Sequence, residues 1–185
     1  MTGDDRAAAP TVEFVRAGWD DDAVVALRGE QQAEIAVRYG GPGAEPSDEH
    51  VDPDTMVVTV LGYIDGAPVA CGAVRDMSGV PDLRGSGGVH PPATGEVKRV
   101  YVAAQWRGRG LSRGLMAHLE RYAADAGIRE LILECGTAQP EAIGLYLSLG
   151  YHPIPPYGRY AQSVRSRSFG KSLIAQVPDA GVAAC

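Results

Sequence analysis

The chain has 185 residues, the size of one ordinary domain and enough to bury roughly two-thirds of its unfolded surface around a single core. A composition of 45% hydrophobic and 22% charged residues excludes general disorder, and the longest apolar stretch, Val57 to Ile64, is far too short to cross a bilayer. The net charge of −6 is unevenly spread: residues 1–55 hold 13 acids against 4 bases, whereas residues 98–113 hold five cations and no acid. That stretch marks an anion site within an acidic protein, and it speaks against the broadly basic surface of a nucleic-acid binder.

Residues 1–10 and 175–185 are small, polar and aperiodic, so they are expected to be a disordered leader and a flexible tail around one domain at 11–174. Thr11 to Arg16 alternates like a strand. Asp20, Asp21 and Asp22 offer an N-cap and first-turn charges for a helix running to Arg38, with Gly29 as a candidate break and Gly40-Gly41 as the stop. A Pro/Gly-rich acidic loop at 40–55 precedes a hairpin, Met56 to Ile64 and Pro68 to Arg75, joined by Asp65-Gly66. After an irregular stretch at 76–94, Gly95 to Ala103 returns to strand. Leu111, Leu115, Leu119, Tyr122 and Ala126 then line one face of a helix from about Gly110 to Ala126, with Gly127 as its cap. Glu130 to Cys135 reads as a strand, Pro140 opens a helix closed by Gly150, and Tyr151 to Ile154 and Arg167 to Leu173 are the last strand candidates. The order β, α, β, β, β, α, β, α, β, β predicts an α/β domain with a mixed central sheet of six or seven strands flanked by helices.

Cys71, Cys135 and Cys185 have no short spacing, and the four histidines lie 28 or more residues apart. Neither a disulfide framework nor a metal site is expected, and a reduced, cytoplasmic setting with no secretory signal is the default. Trp19 and Trp106 read as packing anchors.

The chemistry concentrates in GEVKRVYVAAQWRGRGLSRGLM, residues 95–116. A strand gives way to a Gly-rich turn that opens a helix, so successive backbone N–H groups and the positive helix end face outward together. GxxxxGK[ST] is absent, and Gly108-x-Gly110 is followed by Arg113 where a dinucleotide fingerprint needs its third glycine.

With these residues the sequence resembles the GCN5-related N-acetyltransferase (GNAT) family, whose pyrophosphate motif reads [Q/R]-x-x-G-x-[G/A]. Gln105 to Gly110 fits the pattern literally. Arg107 to Ser112 fits the family's spacing from the strand and is the preferred register, with Ser112 in place of the usual Gly or Ala. "LILECG", "QPEAIGLYLSLGY" and "SRSFGKSL" follow in family order, so the resemblance covers roughly residues 56–173. It implies acetyl-coenzyme A, with no metal, wedged between two splayed parallel strands, 96–103 and 130–135. Pantetheine would pair with the backbone of Val100, Tyr101 and Val102, and an N–H near Val102 would polarise the thioester carbonyl. The diphosphate would lie over Arg107, Gly108, Arg109, Gly110, Leu111 and Ser112, with Arg113 close by. Amine acetylation needs a base and an acid. The resemblance nominates Glu96 as base, against a strand carboxylate paired with Lys98, and Tyr146 as acid, against a core aromatic. Gln139 stands near the family's pantetheine-touching asparagine, or caps the helix at Pro140.

The expected activity is direct acetyl transfer to the primary amine of a small acceptor, a cationic one in view of the acidic first 55 residues. Alternatives are acetylation of a protein or peptide N-terminus, and a coenzyme A-binding module without catalysis. No nucleic-acid or membrane partner is expected. PIPPYGRY, with Tyr157 and Tyr160, resembles the family's loop that faces either the acceptor or a second subunit, which leaves a homodimer open.

Overall fold

A computed structural model of the chain describes residues 11–40, 51–83 and 87–174; the expected leader and tail and most of the 40–55 loop lie outside the described residues. The elements follow the predicted order: β1 (Glu13–Ala17), α1 (Asp22–Arg38), β2 (Met56–Ile64), β3 (Ala67–Asp76), β4 (Thr94–Val102), α2 (Leu111–Asp125), β5 (Glu130–Gly136), α3 (Pro140–Ser148), β6 (His152–Pro153) and β7 (Ser166–Ser172). The strands form one mixed sheet in the order β1-β2-β3-β4-β5-β7-β6. Among them β4 and β5 pair in parallel and the other neighbours antiparallel.

Local chemistry explains the elements. Asp65 and Gly66 both take positive φ, 50° and 77°, as a two-residue hairpin turn requires. The Asp21 carboxylate accepts from the Ala23 N–H and caps α1. Gly29 does not break that helix. Its propensity penalty of about 1 kcal/mol is smaller than the burial of Val24 and Leu27, worth about 1.5–3 kcal/mol each. The apolar stripe of α2, with Leu115, Met116 and Leu119 fully buried, packs on one sheet face beside α3. On the opposite face α1 lays Val24 and Leu27 against Leu61, Cys71 and Tyr101. β6 is shorter than the sequence suggests, pairing through His152 and Pro153.

Two irregularities position the site. The β4–β5 ladder runs from Thr94↔Glu130 to Glu96↔Ile132 and stops there. Across β3, Cys71 faces Tyr101 and Ala73 faces Lys98, so Arg99 and Val100 together oppose Gly72 in a β-bulge, with Arg99 at φ 57°. The bulge shifts the alternation, so Glu96, Lys98 and Tyr101 share the α1 face.

Candidate active site

Where β4 and β5 part, a cavity of about 420 Å³ opens. One end is the turn after β4. Ala104–Trp106 forms a short 3-10 helix, and Gly108 and Gly110 then both adopt φ 76°. Gly110 is the N-cap of α2 in the left-handed region, with no side chain satisfying the helix start. The first helical amides, at Leu111 and Ser112, have no carbonyl one turn back within the helix, so donors and the positive helix end face the cavity together. Arg107, Gly108, Gly110, Leu111 and Ser112 all line it, as do Val100, Tyr101 and Val102 of β4.

Arg109 and Arg113 do not line it. The Arg109 guanidinium sits 4.8 Å from the centre of the Trp106 ring, and Arg113 donates to Ser148 Oγ at 2.7 Å on α3. Arg107 is also differently employed from the sequence expectation. Its Nε donates to Val102 O at 2.9 Å, and its two terminal nitrogens grip Glu34 of α1 at 3.0 and 2.6 Å. This bidentate pair holds the Glu34 carboxyl below the usual carboxylate range and raises Arg107.

The end of α1 thus bridges the cleft. Beyond Glu34, Arg38 pairs with Glu141 of α3 at 2.5 Å and donates to Ala138 O at 3.2 Å. The Tyr39 hydroxyl accepts from the Ala138 N–H at 3.2 Å, and it lies so close to Gly136 that a Cβ there would stand 1.7 Å from its oxygen. Gly136 is therefore the residue that lets α1 reach the end of β5. Gln139 occupies the N-cap position of α3 but its side chain makes no capping hydrogen bond; its Nε2 lies beside Gly136 on the cavity wall.

Tyr146 reaches the cavity from α3, with its ring 5.8 Å from Tyr151 and 6.4 Å from Phe169. Burial raises its hydroxyl pKa well above the ordinary value, with Cys135 a smaller contribution, so it stays a hydrogen-bond donor through the neutral range. The Cys135 thiol beside it is pushed up to about 12, again mainly by burial, and is no nucleophile at neutral pH.

Glu96, the expected base, does not line the cavity. It is 3% exposed and held from three sides: Arg75 Nε at 2.6 Å, the Tyr157 hydroxyl at 2.9 Å and Lys98 Nζ at 3.6 Å. The register places Arg75 directly opposite Glu96, and Tyr157 of the segment after β6 covers them both. The expected pairing with Lys98 is present, but in a buried setting. Tyr157 is raised well above the ordinary tyrosine value, by burial first and then by the Glu96 charge. Three carboxylates do line the cavity: Glu34 and Glu141, paired with Arg107 and Arg38, and Glu134 of β5, which accepts from the Ser166 hydroxyl. Sequence reasoning missed Glu134, along with Gln31 and Gln32 of α1 and Arg165 of the loop before β7, which also line the cavity; Arg99 of the cationic stretch and Tyr160 of PIPPYGRY, both singled out in the sequence, line it too. The period of LILECG was the available signal, since Glu134 shares a sheet face with Ile132.

This geometry, a helix start facing a gap between splayed parallel strands, agrees with the comparisons. The Acetyltransferase (GNAT) family model matches residues 22–151, and the chain belongs to that family. An IAA acetyltransferase of Azospirillum brasilense is 30% identical over 169 residues, covering 89% of this chain and 99% of that protein. In structure, the chain is similar to a Klebsiella pneumoniae protein assigned to the acyl-CoA N-acyltransferases, at TM-score 0.69 and 26% identity over 88% of this chain and 97% of that one. The PaiA N-acetyltransferase of Thermoplasma acidophilum, solved with coenzyme A, shares the fold at TM-score 0.64 and 11% identity, over 88% and 99% of the two chains. Family membership makes the protein an acyltransferase with acetyl-coenzyme A as co-substrate, and the uncapped turn and open ladder fit that molecule. No helix of the described residues is long and apolar enough to cross a membrane, and no group of three His, Cys, Asp or Glu among them could hold a metal ion.

Proposed function

We propose that the protein transfers the acetyl group of acetyl-coenzyme A directly to the primary amine of a small acceptor, within a ternary complex. The observation that carries this reading is the continuity of one cavity, from the uncapped start of α2, between β4 and β5, to the carboxylate of Glu134. Acetyl-coenzyme A supplies an activated acyl group whose thioester carbon accepts a nucleophile. The amides at residues 108–112 bind its diphosphate. The main chain of Val100, Tyr101 and Val102 pairs with the pantetheine arm as an added strand would, and Gln139 flanks that arm. Arg109 and Arg113 act at a distance, on the field around the turn rather than by contact.

Glu134, a cavity-lining carboxylate on β5 where the β4–β5 ladder has opened, takes a proton from the acceptor ammonium, either directly or through a water. As the C–N bond forms and the C–S bond breaks, the departing sulfur takes a proton from Tyr146, a hydroxyl donor on the cavity wall, and the second proton that the nitrogen loses as it becomes an amide restores the Tyr146 hydroxyl. Glu96 lies behind this centre. Its charge holds Lys98 and Tyr157 in place, which makes it a positioning residue. A small acceptor is favoured over a polypeptide because α1 and the loop before β7 bound the acceptor side on two sides.

The test is release of free thiol from acetyl-coenzyme A with a panel of amines, amino acids, polyamines and N-terminal peptides, alongside calorimetry with the cofactor. Saturable binding and amine-dependent thiol release are expected. Binding without turnover on any amine would leave a coenzyme A-binding module, and turnover confined to peptides would replace the acceptor class.

A further inference from the structure

Cations gather on the acceptor side of the cavity, in contrast to the acid-rich N-terminal third of the sequence. Two of the arginines on its wall are matched by carboxylates, Arg107 by Glu34 at 2.6 Å and Arg38 by Glu141 at 2.5 Å. From there toward the β4 bulge, the described wall carries Lys98, Arg99 and Arg165 against one carboxylate, Glu134. Lys98 is set against Glu96 behind it, and both Arg99 and Arg165 line the cavity. The bulge that gives Arg99 its left-handed conformation aims this residue at the acceptor side. A further cation stands nearby: Arg28 is held below the usual arginine value, first by burial and then by the charge of Arg99.

A second observation is independent of charge. Gln31 and Gln32, adjacent on α1, both line the cavity, and each has a buried polar atom without a hydrogen-bond partner, Gln31 Oε1 and Gln32 Nε2. Gln31 Nε2 donates to Val100 O at 2.8 Å, which fixes the side-chain amide and leaves its oxygen as an acceptor. Native proteins rarely leave buried amide atoms unmatched, so the pair points to a ligand bearing both a donor and an acceptor.

Building on the acyl-transfer reading above, we propose that the acceptor is an amino carboxylate, a small molecule carrying its amine and a carboxylate on one skeleton. Arg99 and Arg165 hold the carboxylate, whose planar pair of oxygens suits a guanidinium fork, and Gln32 Nε2 donates to it. The amine end lies toward Glu134 and Gln31 Oε1, which accept its N–H groups and orient it for attack. The cavity is shared with the pantetheine arm, which limits the acceptor to about amino-acid size.

The experiment compares three acceptors on each of an aromatic, an aliphatic and a basic skeleton: the amino acid, its primary carboxamide, and the amine without the carboxyl group. Thiol release gives kcat and KM for the parent, Arg99→Met and Arg165→Met, and calorimetry gives acetyl-coenzyme A affinity for each. On at least one skeleton the amino acid is expected to exceed its carboxamide by about 10- to 100-fold in kcat/KM, the span of a charge-assisted hydrogen bond. Each arginine variant is expected to erase that preference by raising KM, leaving kcat and cofactor affinity unchanged. Arg165 lies in an exposed turn, so its variant carries the test where Arg99→Met lowers stability. Carboxamides or plain amines serving the parent as well as the amino acids overturn the proposal, as does a preference that survives in both variants. With cofactor binding intact, those results strike the carboxylate assignment alone; absence of cofactor binding removes the ternary-complex reading along with it.

Discussion

At the proposed phosphate end of the cleft, the groups assigned to the ligand are main-chain amides at residues 108–112, delivered by one contiguous strand, turn and helix. At the acceptor end they are side chains gathered from α1, β4, β5 and the loop before β7, up to about 130 residues apart in sequence. The first end is tolerant of side-chain identity and intolerant of backbone change. The second is the reverse. A fold built this way keeps one cofactor while its acceptor is free to change, because the two requirements fall on different kinds of atom.

Glu134→Gln tests the acceptor end most severely. It should lower kcat by about 10²- to 10⁴-fold, the usual contribution of a positioned base, with acetyl-coenzyme A affinity unchanged by calorimetry. Glu96→Gln should be felt in the fold instead. Leaving Arg75, itself only 17% exposed, opposite a neutral amide costs about 3 kcal/mol in urea unfolding, while kcat of the folded protein falls less than in Glu134→Gln. If the two variants exchanged these phenotypes, Glu96 would be the base and Glu134 its support. At the phosphate end, Gly110→Ala puts a Cβ on a residue at φ 76°, costing about 1 kcal/mol of conformational strain and weakening cofactor binding roughly tenfold as the turn relaxes. The smallest effect is expected from Glu34→Gln, which spans both ends. Freeing Arg107 from its exposed partner, a pair worth about 0.2–1 kcal/mol, should tighten cofactor binding two- to fivefold at low salt. Weaker binding instead would mean that the pair organises the turn rather than competing with phosphate.

The same division explains what the sequence revealed. Residues 95–116 hold the proposed cofactor end within one contiguous stretch, so spacing alone exposes its strand, its turn glycines and its helix stripe. Asp65-Gly66 and the Leu111, Leu115, Leu119 period are equally local. Glu96 was visible as a strand carboxylate near Lys98, but its depth depends on Arg75 of β3 and on Tyr157, 61 residues away. Arg107 showed itself as a cation in the right turn, yet its partner Glu34 is 73 residues distant. Gln31 and Gln32 read as ordinary polar helix residues until α1 is laid over Val100. Glu134 sits inside an apolar strand whose period gives its sheet face, but the point at which β4 and β5 separate, which lets its side chain meet open space, is not written in that period.

That separation bears on the upkeep of the protein as well as on its chemistry. Past Glu96 and Ile132 two strands face each other with no ladder between them, so the sheet is complete only when something lies in the gap. A ligand present at a hundredfold excess over its Kd adds about 2.7 kcal/mol to resistance against unfolding. Heat and proteases would accordingly find the starved enzyme an easier target than the supplied one, and its abundance in a cell would rise and fall with the local pool of acyl donor.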